Sequence, residues 1–443
     1  MFDQSRRNFL NHLASLMVLV SRPIGVSTVL TETFREGHRQ HPQPQSMGFS
    51  RERSISARRY RIRTITAGVN LKTVADLGPI ASAIRFLHKA HQRFEEAGIN
   101  VQTLRIATQP LPEYMAGHSW REVLPALKAI DRRISTANVL MSIGPVLTED
   151  RTDADIAPWA AELINETSRI NLSIAIASPG RGIHRRAIRT AAQVMGTIGK
   201  RTPGGEGNFR FTAAANCPAG IPFFPAAYHR GEEAFAIGLE SPLLVQEAFM
   251  GAADVDEARS RLKTMLESEL GRIEELALGV ARETRRRYLG IDVSPAPSKE
   301  ASIGRAIEML THAPFGQAST VMACAVITDV LQALNVRTCG YSGLMLPVLE
   351  DPVLARRAAE GRYGVHELLL YSSVCGTGLD VVPLPGDTSI DRLTALMEDV
   401  AALSTKLRKP LSARLLLVPG KKAGDHVEFD NPFLTDSVIM KLN

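Results

Sequence analysis

Residues 366–389, HELLLYSSVCGTGLDVVPLPGDTS, carry the reading on which the fold of this 443-residue chain turns. The stretch opens on an apolar run that reads as a strand over 368–374 and reaches a thiol at Cys375 among small residues. It ends in glycine-bearing turns with carboxylates at Asp380 and Asp387. A buried parallel strand giving way to a polar loop is where α/β proteins set their ligand sites. Chemistry is expected here.

The same pattern recurs in both directions along the chain. Residues 61–71 (RIRTITAGVNL) alternate polar and β-branched side chains, and 75–97 then space apolar residues as a helix does, ending at Gly98. Further strand-like runs fall at 101–107, 137–143, 171–177, 209–215, 234–239, 289–293, 344–348 and 414–418, mostly with helical patterns between them. Such alternation predicts a mainly parallel sheet with helices outside it. About ten strands is many for an open twisted sheet. A single large α/β barrel with surrounding helices is therefore expected over 60–443.

The net charge is +6 and the hydrophobic fraction 44%, as in an ordinary globular chain. The charge is unevenly placed. Residues 1–63 hold eleven arginines against four acidic residues, which leaves the rest close to neutral, so the basic balance is no sign of nucleic-acid binding. The four cysteines, Cys217, Cys324, Cys339 and Cys375, form no CxxC pair and hence no structural zinc motif. Ser5-Arg6-Arg7-Asn8-Phe9-Leu10 followed by the apolar run 13–20 fits a twin-arginine signal within 1–30, too short to span a membrane. Periplasmic export is the expectation and a cytoplasmic location the alternative, since no Ala-x-Ala cleavage site follows. Residues 31–59, rich in Arg, His, Gln, Pro and Ser, read as a disordered linker.

Six segments together resemble a known family. They are RTITAGVNL (63–71), YHRGEEA (228–234), IDVSPAP (291–297), GYSGLMLPVLED (340–351), VCGTGLDVVPLPGDT (374–388) and SARLLLVPGKKAGD (412–425). In order and spacing they are similar to the uncharacterised family called domain of unknown function seven hundred and eleven. The resemblance implies a barrel of about ten strands like that of pyruvate formate-lyase and other glycyl-radical enzymes, and a homodimer. It implies no reaction. The C-terminal region reads LLLVPGKKAGDHVEFDNPF and lacks the Arg-Val-x-Gly-Tyr type motif that stores a glycine radical, so radical chemistry is not expected.

Candidate groups follow from residue type and place. His229 and Glu233 stand four apart, so on a helix they share one face. They are candidates for an acid/base pair or, with Asp380, for a divalent metal; the plainer reading is a helix N-terminus with acidic residues favouring its dipole. Cys375 beside Gly376 and Gly378 reads as a nucleophile near ligand-facing amides, or else as a small packed residue. Asp380 is a candidate for acid/base work, while Asp387 reads as an N-cap for 390–407. Asp292 and Ser294 leave another strand end. Lys421 and Lys422, between glycines, suit an anion although no P-loop order is present. In a closed barrel such strand ends converge on one mouth. A lyase or hydrolase acting on a small polar or anionic metabolite is expected, with a barrel that binds a small molecule or metal without turnover as the alternative.

Overall fold

The computed structural model describes residues 59–442; the signal-like segment and all but the last residue of the linker lie outside them. Strand β1 (Arg61–Val69) leads to α1 (Leu77–Glu96), whose N-cap Asp76 accepts a hydrogen bond from the Gly78 amide. Helix α1 buries Ile80, Ala83, Leu87, Ala90 and Phe94, the spacing of an amphipathic helix on a sheet. The pattern repeats through β2 (Val101–Thr108), α2 (Trp120–Thr136), β3 (Val139–Leu147), α3 (Ile156–Glu166) and β4 (Ile170–Ser178). A short β5 (Gly182–Ile183) turns back on β4 before α4 (Arg185–Arg201) and β6 (Phe211–Ala215). After a long loop come β7 (Ala234–Glu240), α5 (Pro242–Phe249), α6 (Val255–Thr284), β8 (Arg287–Asp292), α7 (Ile303–Thr311) and α8 (Thr320–Gln332). The chain ends with α9 (Pro352–Ala359), α10 (Val365–Ser372), β9 (Gly378–Pro385), α11 (Ile390–Leu407), β10 (Leu411–Val418) and a separate ribbon, β11 (His426–Val427) with β12 (Ser437–Val438).

Two expected strands are corrected. Residues 368–374 belong largely to α10, whose start is fixed by Glu367 accepting from the Gly364 amide at 2.8 Å; four apolar residues in a row suit either period, and the cap decides. The strand of this stretch is β9, ten residues later. Residues 344–348 form no ladder, only a single bridge between Pro347 and Asp380.

One ten-stranded sheet runs β8-β7-β1-β2-β3-β4-β6-β10-β9, with β5 beside β4. Along the path β1-β2-β3-β4-β6 all neighbours are parallel, the short β5 alone lying antiparallel to β4; β7 and β10 join the two flanks antiparallel, and β8 and β9 extend them in parallel. The edges β8 and β9 do not pair directly. Both touch one intervening segment: Arg337 O and the Cys339 amide bond to Ile291, while the Val348 amide donates to Asp380 O and the Gly376 amide to Leu344 O.

The two faces of the sheet differ sharply. Ile62, Ile65, Leu104, Ile106, Leu172, Ile174, Leu415 and Leu417 join the helices in one apolar core. The alternate positions carry Arg63, Arg105, Ser173, Thr212, Arg414 and Asp292, and this face is covered too: Ser173, Thr212 and Asp292 are fully or almost fully buried. Segments from the loops lie across it. Thr66 Oγ1 donates to Pro222 O at 2.8 Å, Ser142 Oγ donates to Ala227 O at 2.7 Å, and Phe224 stacks on Arg105. Among the described residues no helix is long and apolar enough to cross a membrane.

Candidate site on the buried polar face

A chain of ion pairs crosses this face. Arg61 and Arg63 bind Glu240 at 2.8 and 2.7 Å, Arg63 and Arg414 bind Glu350 at 2.9 and 2.5 Å, and Arg414 binds Asp380 at 2.6 Å. The paired carboxylates satisfy guanidiniums whose burial alone is costly. Burial nonetheless pushes the Asp380 carboxyl above its usual range, with Arg414 opposing and Glu350 adding to the rise. Arg105 stands apart: it makes no ion pair among the described residues, and burial pulls its guanidinium down to about 9, with Arg63 contributing.

His229 sits in a loop running into β7, so the helix expected over His229 and Glu233 is corrected: Gly231, at φ +87°, and the strand start leave no helical turn. The His229 amide donates to Thr108 O at 2.8 Å and its Nε2 donates to Gly231 O at 3.2 Å. A Cβ on Gly68 would lie 2.1 Å from His229 Nδ1, so glycine is what admits the ring. Burial lowers the imidazole's affinity for a second proton. Glu233 is drawn to Arg286 at 2.8 Å instead of to His229. The cavity beside His229, lined by Thr66, Gly220 and Tyr228 among others, has about 10 Å³, room for one water at most.

Asp292, at the end of β8, accepts from Ser294 Oγ at 2.6 Å, Ser294 N at 3.2 Å, Tyr341 N at 2.8 Å and Ser342 N at 3.0 Å. Gly340, at φ +68°, lies so close that a Cβ there would meet Asp292 Oδ2 at 2.1 Å. With no basic partner among the described residues to offset it, burial pushes this carboxyl up to about 6 despite its donors. Ser294 Oγ in turn accepts from Gly343 N at 3.1 Å. The loop so held brings the Tyr341 hydroxyl to Ser412 Oγ at 3.2 Å and within 3.6 Å of Cys217 Sγ, whose thiol burial pushes up to about 12.

The glycines beside Cys375 serve the chain itself. A Cβ on Gly376 would sit 2.4 Å from Gly343 Cα, and one on Gly378 would sit 2.3 Å from Ser412 O, so protein backbone fills the space that was assigned to a ligand. Cys375 is buried, and burial raises its thiol above the usual value. Lys421 and Lys422 lie on the exposed turn after β10, where the Lys422 amide donates to Asp425. Ser389, not Asp387, caps α11 by accepting from Arg392 N. Among the described residues no three His, Cys, Asp or Glu side chains gather as metal ligands, so His229, Glu233 and Asp380 do not form the expected metal set. Arg63, Arg105, Glu240, Glu350 and Arg414 are the groups that sequence reasoning missed. Their signal was available, in charged residues at inward positions of otherwise apolar strands.

The family model described as Uncharacterised ACR (DUF711) matches residues 53–431. A UPF0210 protein of Desulforudis audaxviator is 29% identical over 414 residues, covering 86% of this chain and 90% of that one. One of Pyrobaculum aerophilum is 32% identical over 291 residues, 63% of each. One of Thermoanaerobacter sp. strain X514 is 28% identical over 426 residues, covering 88% and 92%. With a match that spans most of its length, the chain belongs to the DUF711 family, whose members among these relatives carry the name UPF0210.

Proposed function

We propose that the sheet rolls into a barrel with its polar face inward, segment 337–348 bridging β8 to β9, and that the lumen takes a small polar metabolite. One observation carries this. Glu350 bonds both Arg63 of β1 and Arg414 of β10, five strand steps apart; in a flat sheet those strands would lie about 24 Å apart. Curvature brings them within reach of one carboxylate. On the ligand, Asp380 is the acid/base group of a non-radical lyase or hydrolase, because Asp292 already accepts four hydrogen bonds, two from Ser294 and two from the segment bearing Tyr341 and Ser342. Binding without turnover is the second reading, favoured by the ion pair that already engages Asp380 with Arg414 at 2.6 Å.

A panel of small polar metabolites read by thermal shift, with hits then followed by NMR for conversion, separates the two. Conversion by the wild type that is lost in Asp380→Asn while the shift remains supports the enzyme. A bound, unconverted hit supports the binder, and a panel without any hit removes both.

We also propose that a second copy of the chain docks on α11. Asp399, Ala402, Leu403 and Lys406 form one stripe at helical spacing, bordering a groove of about 480 Å³ with Leu369 and Leu370 of α10; Leu370 is 54% exposed. Among the described residues neither Asp399 nor Lys406 makes an ion pair, and about 10 Å of helix separates them. In an antiparallel pair about a two-fold axis near Ala402, each Asp399 meets the Lys406 of the other copy. Sedimentation should give a dimer for the wild type, a monomer for Lys406→Asp and a dimer again for Asp399→Lys/Lys406→Asp. A monomeric wild type, or no recovery in the double variant, refutes the surface.

A further inference from the structure

We infer that Arg105 receives an anionic group, a carboxylate or phosphate, of the molecule taken by the lumen. This deepens the reading above and rests on it. The argument begins with charge. On the polar face Arg61 and Arg63 share Glu240, Arg63 and Arg414 share Glu350, and Arg414 holds Asp380. Arg61 also reaches the exposed Glu300 at 3.9 Å, so of the four guanidiniums, counting Arg105, three pair with carboxylates and Arg105 alone pairs with none among the described residues. Its Nε donates to Thr103 Oγ1 at 3.2 Å, and no acceptor among the described residues takes its terminal nitrogens. Burial and the nearby Arg63 disfavour this half-buried cation, and Glu350, which is already shared by Arg63 and Arg414, attracts it without making a contact, so the charge is unfavourable unless a further counter-ion reaches it.

Geometry makes the site specific. The Arg105 guanidinium lies over the Phe224 ring at 5.0 Å. The ring covers one side of the guanidinium and leaves the terminal N–H groups to donate to a planar or tetrahedral anion. Two further groups on the same face point to a ligand. Ser173 Oγ and Thr212 Oγ1 are buried without a hydrogen-bond partner among the described residues, and their residues are register neighbours across β4 and β6. Buried hydroxyls rarely stay unpaired. A ligand anchored by charge at Arg105 and carrying polar groups along its length would satisfy both.

The test compares the full chain with Arg105→Gln and Arg105→Lys by thermal shift and calorimetry. One arm holds short mono- and dicarboxylates, a second inorganic phosphate and phosphorylated sugars, a third the corresponding neutral amides and polyols. An anionic arm should bind the wild type, at least about tenfold more weakly to Arg105→Gln, and with intermediate strength to Arg105→Lys, which keeps the charge without the fork. Arg105→Gln without ligand should unfold no earlier than the wild type, because it loses no ion pair. Whether the carboxylate or the phosphate arm responds identifies the anion. An anion bound equally well by Arg105→Gln overturns the inference, as does an Arg105→Gln variant that merely unfolds early with no change in affinity. Binding confined to the neutral arm overturns it while sparing the lumen reading. Silence in every arm removes the lumen reading, and this inference with it.

Discussion

Replacing Glu350 with glutamine is expected to lower the unfolding free energy by about 3–5 kcal/mol, the usual cost of removing one member of a buried ion pair. The carboxylate serves two guanidiniums at 2.9 and 2.5 Å, all three side chains being 9% exposed. An amide accepts from one arginine and turns its own donors toward the other. Arg63 keeps Glu240 and Arg414 keeps Asp380, so the loss should lie within that range and not beyond it. The control is Asp391→Ala, which removes an exposed pair with Arg189 and should cost no more than about 1 kcal/mol. Urea unfolding at low and high salt measures both. Because water is excluded around Glu350, its penalty should persist in 1 M salt. A loss below 1 kcal/mol, or one erased by salt, would mean that solvent enters between β1 and β10 and that the sheet is not drawn together there.

Local elements were legible in the chain to different degrees, for physical reasons. Strand β1 and helix α1 fall where alternation and helical spacing put them, because each has one apolar face and the period records it. Residues 344–348 look like a strand because they are buried between the sheet and its neighbours, and burial without a ladder leaves the same apolar record. His229 and Glu233 were paired on a spacing that has meaning only in a helix; Gly231 and the start of β7 keep the chain from forming one.

Tertiary partners left weaker traces. Arg63, Arg105 and Arg414 stand out as charges inside strands, but that Arg63 and Arg414 share Glu350 while Arg105 meets no carboxylate among the described residues depends on contacts between distant segments, which no local window contains. Glycines were ambiguous for another reason. Gly376 and Gly378 do permit a close approach, as expected, but the approaching groups are the backbones of Gly343 and Ser412. Sequence records that space is needed and is silent on what occupies it.

Asp292 should make the fold more stable in acid than at neutral pH, against the usual behaviour of carboxylates. Burial raises its pKa from the ordinary 3.8 to about 6, so the folded chain holds a proton that the unfolded chain releases between those values. The stabilisation is complete below about 3.8 and is lost as the pH rises through 6. At about 1.36 kcal/mol per pH unit, the swing comes to about 3 kcal/mol. Burial likewise pushes up the neighbouring Cys339 thiol, which stays protonated throughout. Asp292→Asn cannot titrate, so the difference in unfolding free energy between wild type and variant should grow in favour of the wild type by about 2.4 kcal/mol from pH 7.5 to pH 4. Other carboxylates are common to both chains and cancel. A difference that is flat with pH would mean that the donors from Ser294, Tyr341 and Ser342 cancel the effect of burial and that Asp292 keeps its ordinary affinity for a proton, ionised at neutral pH. In that case the loop bearing Tyr341 is held by a full negative charge at the end of β8, and the proton at Asp292 has no part in how tightly that loop closes.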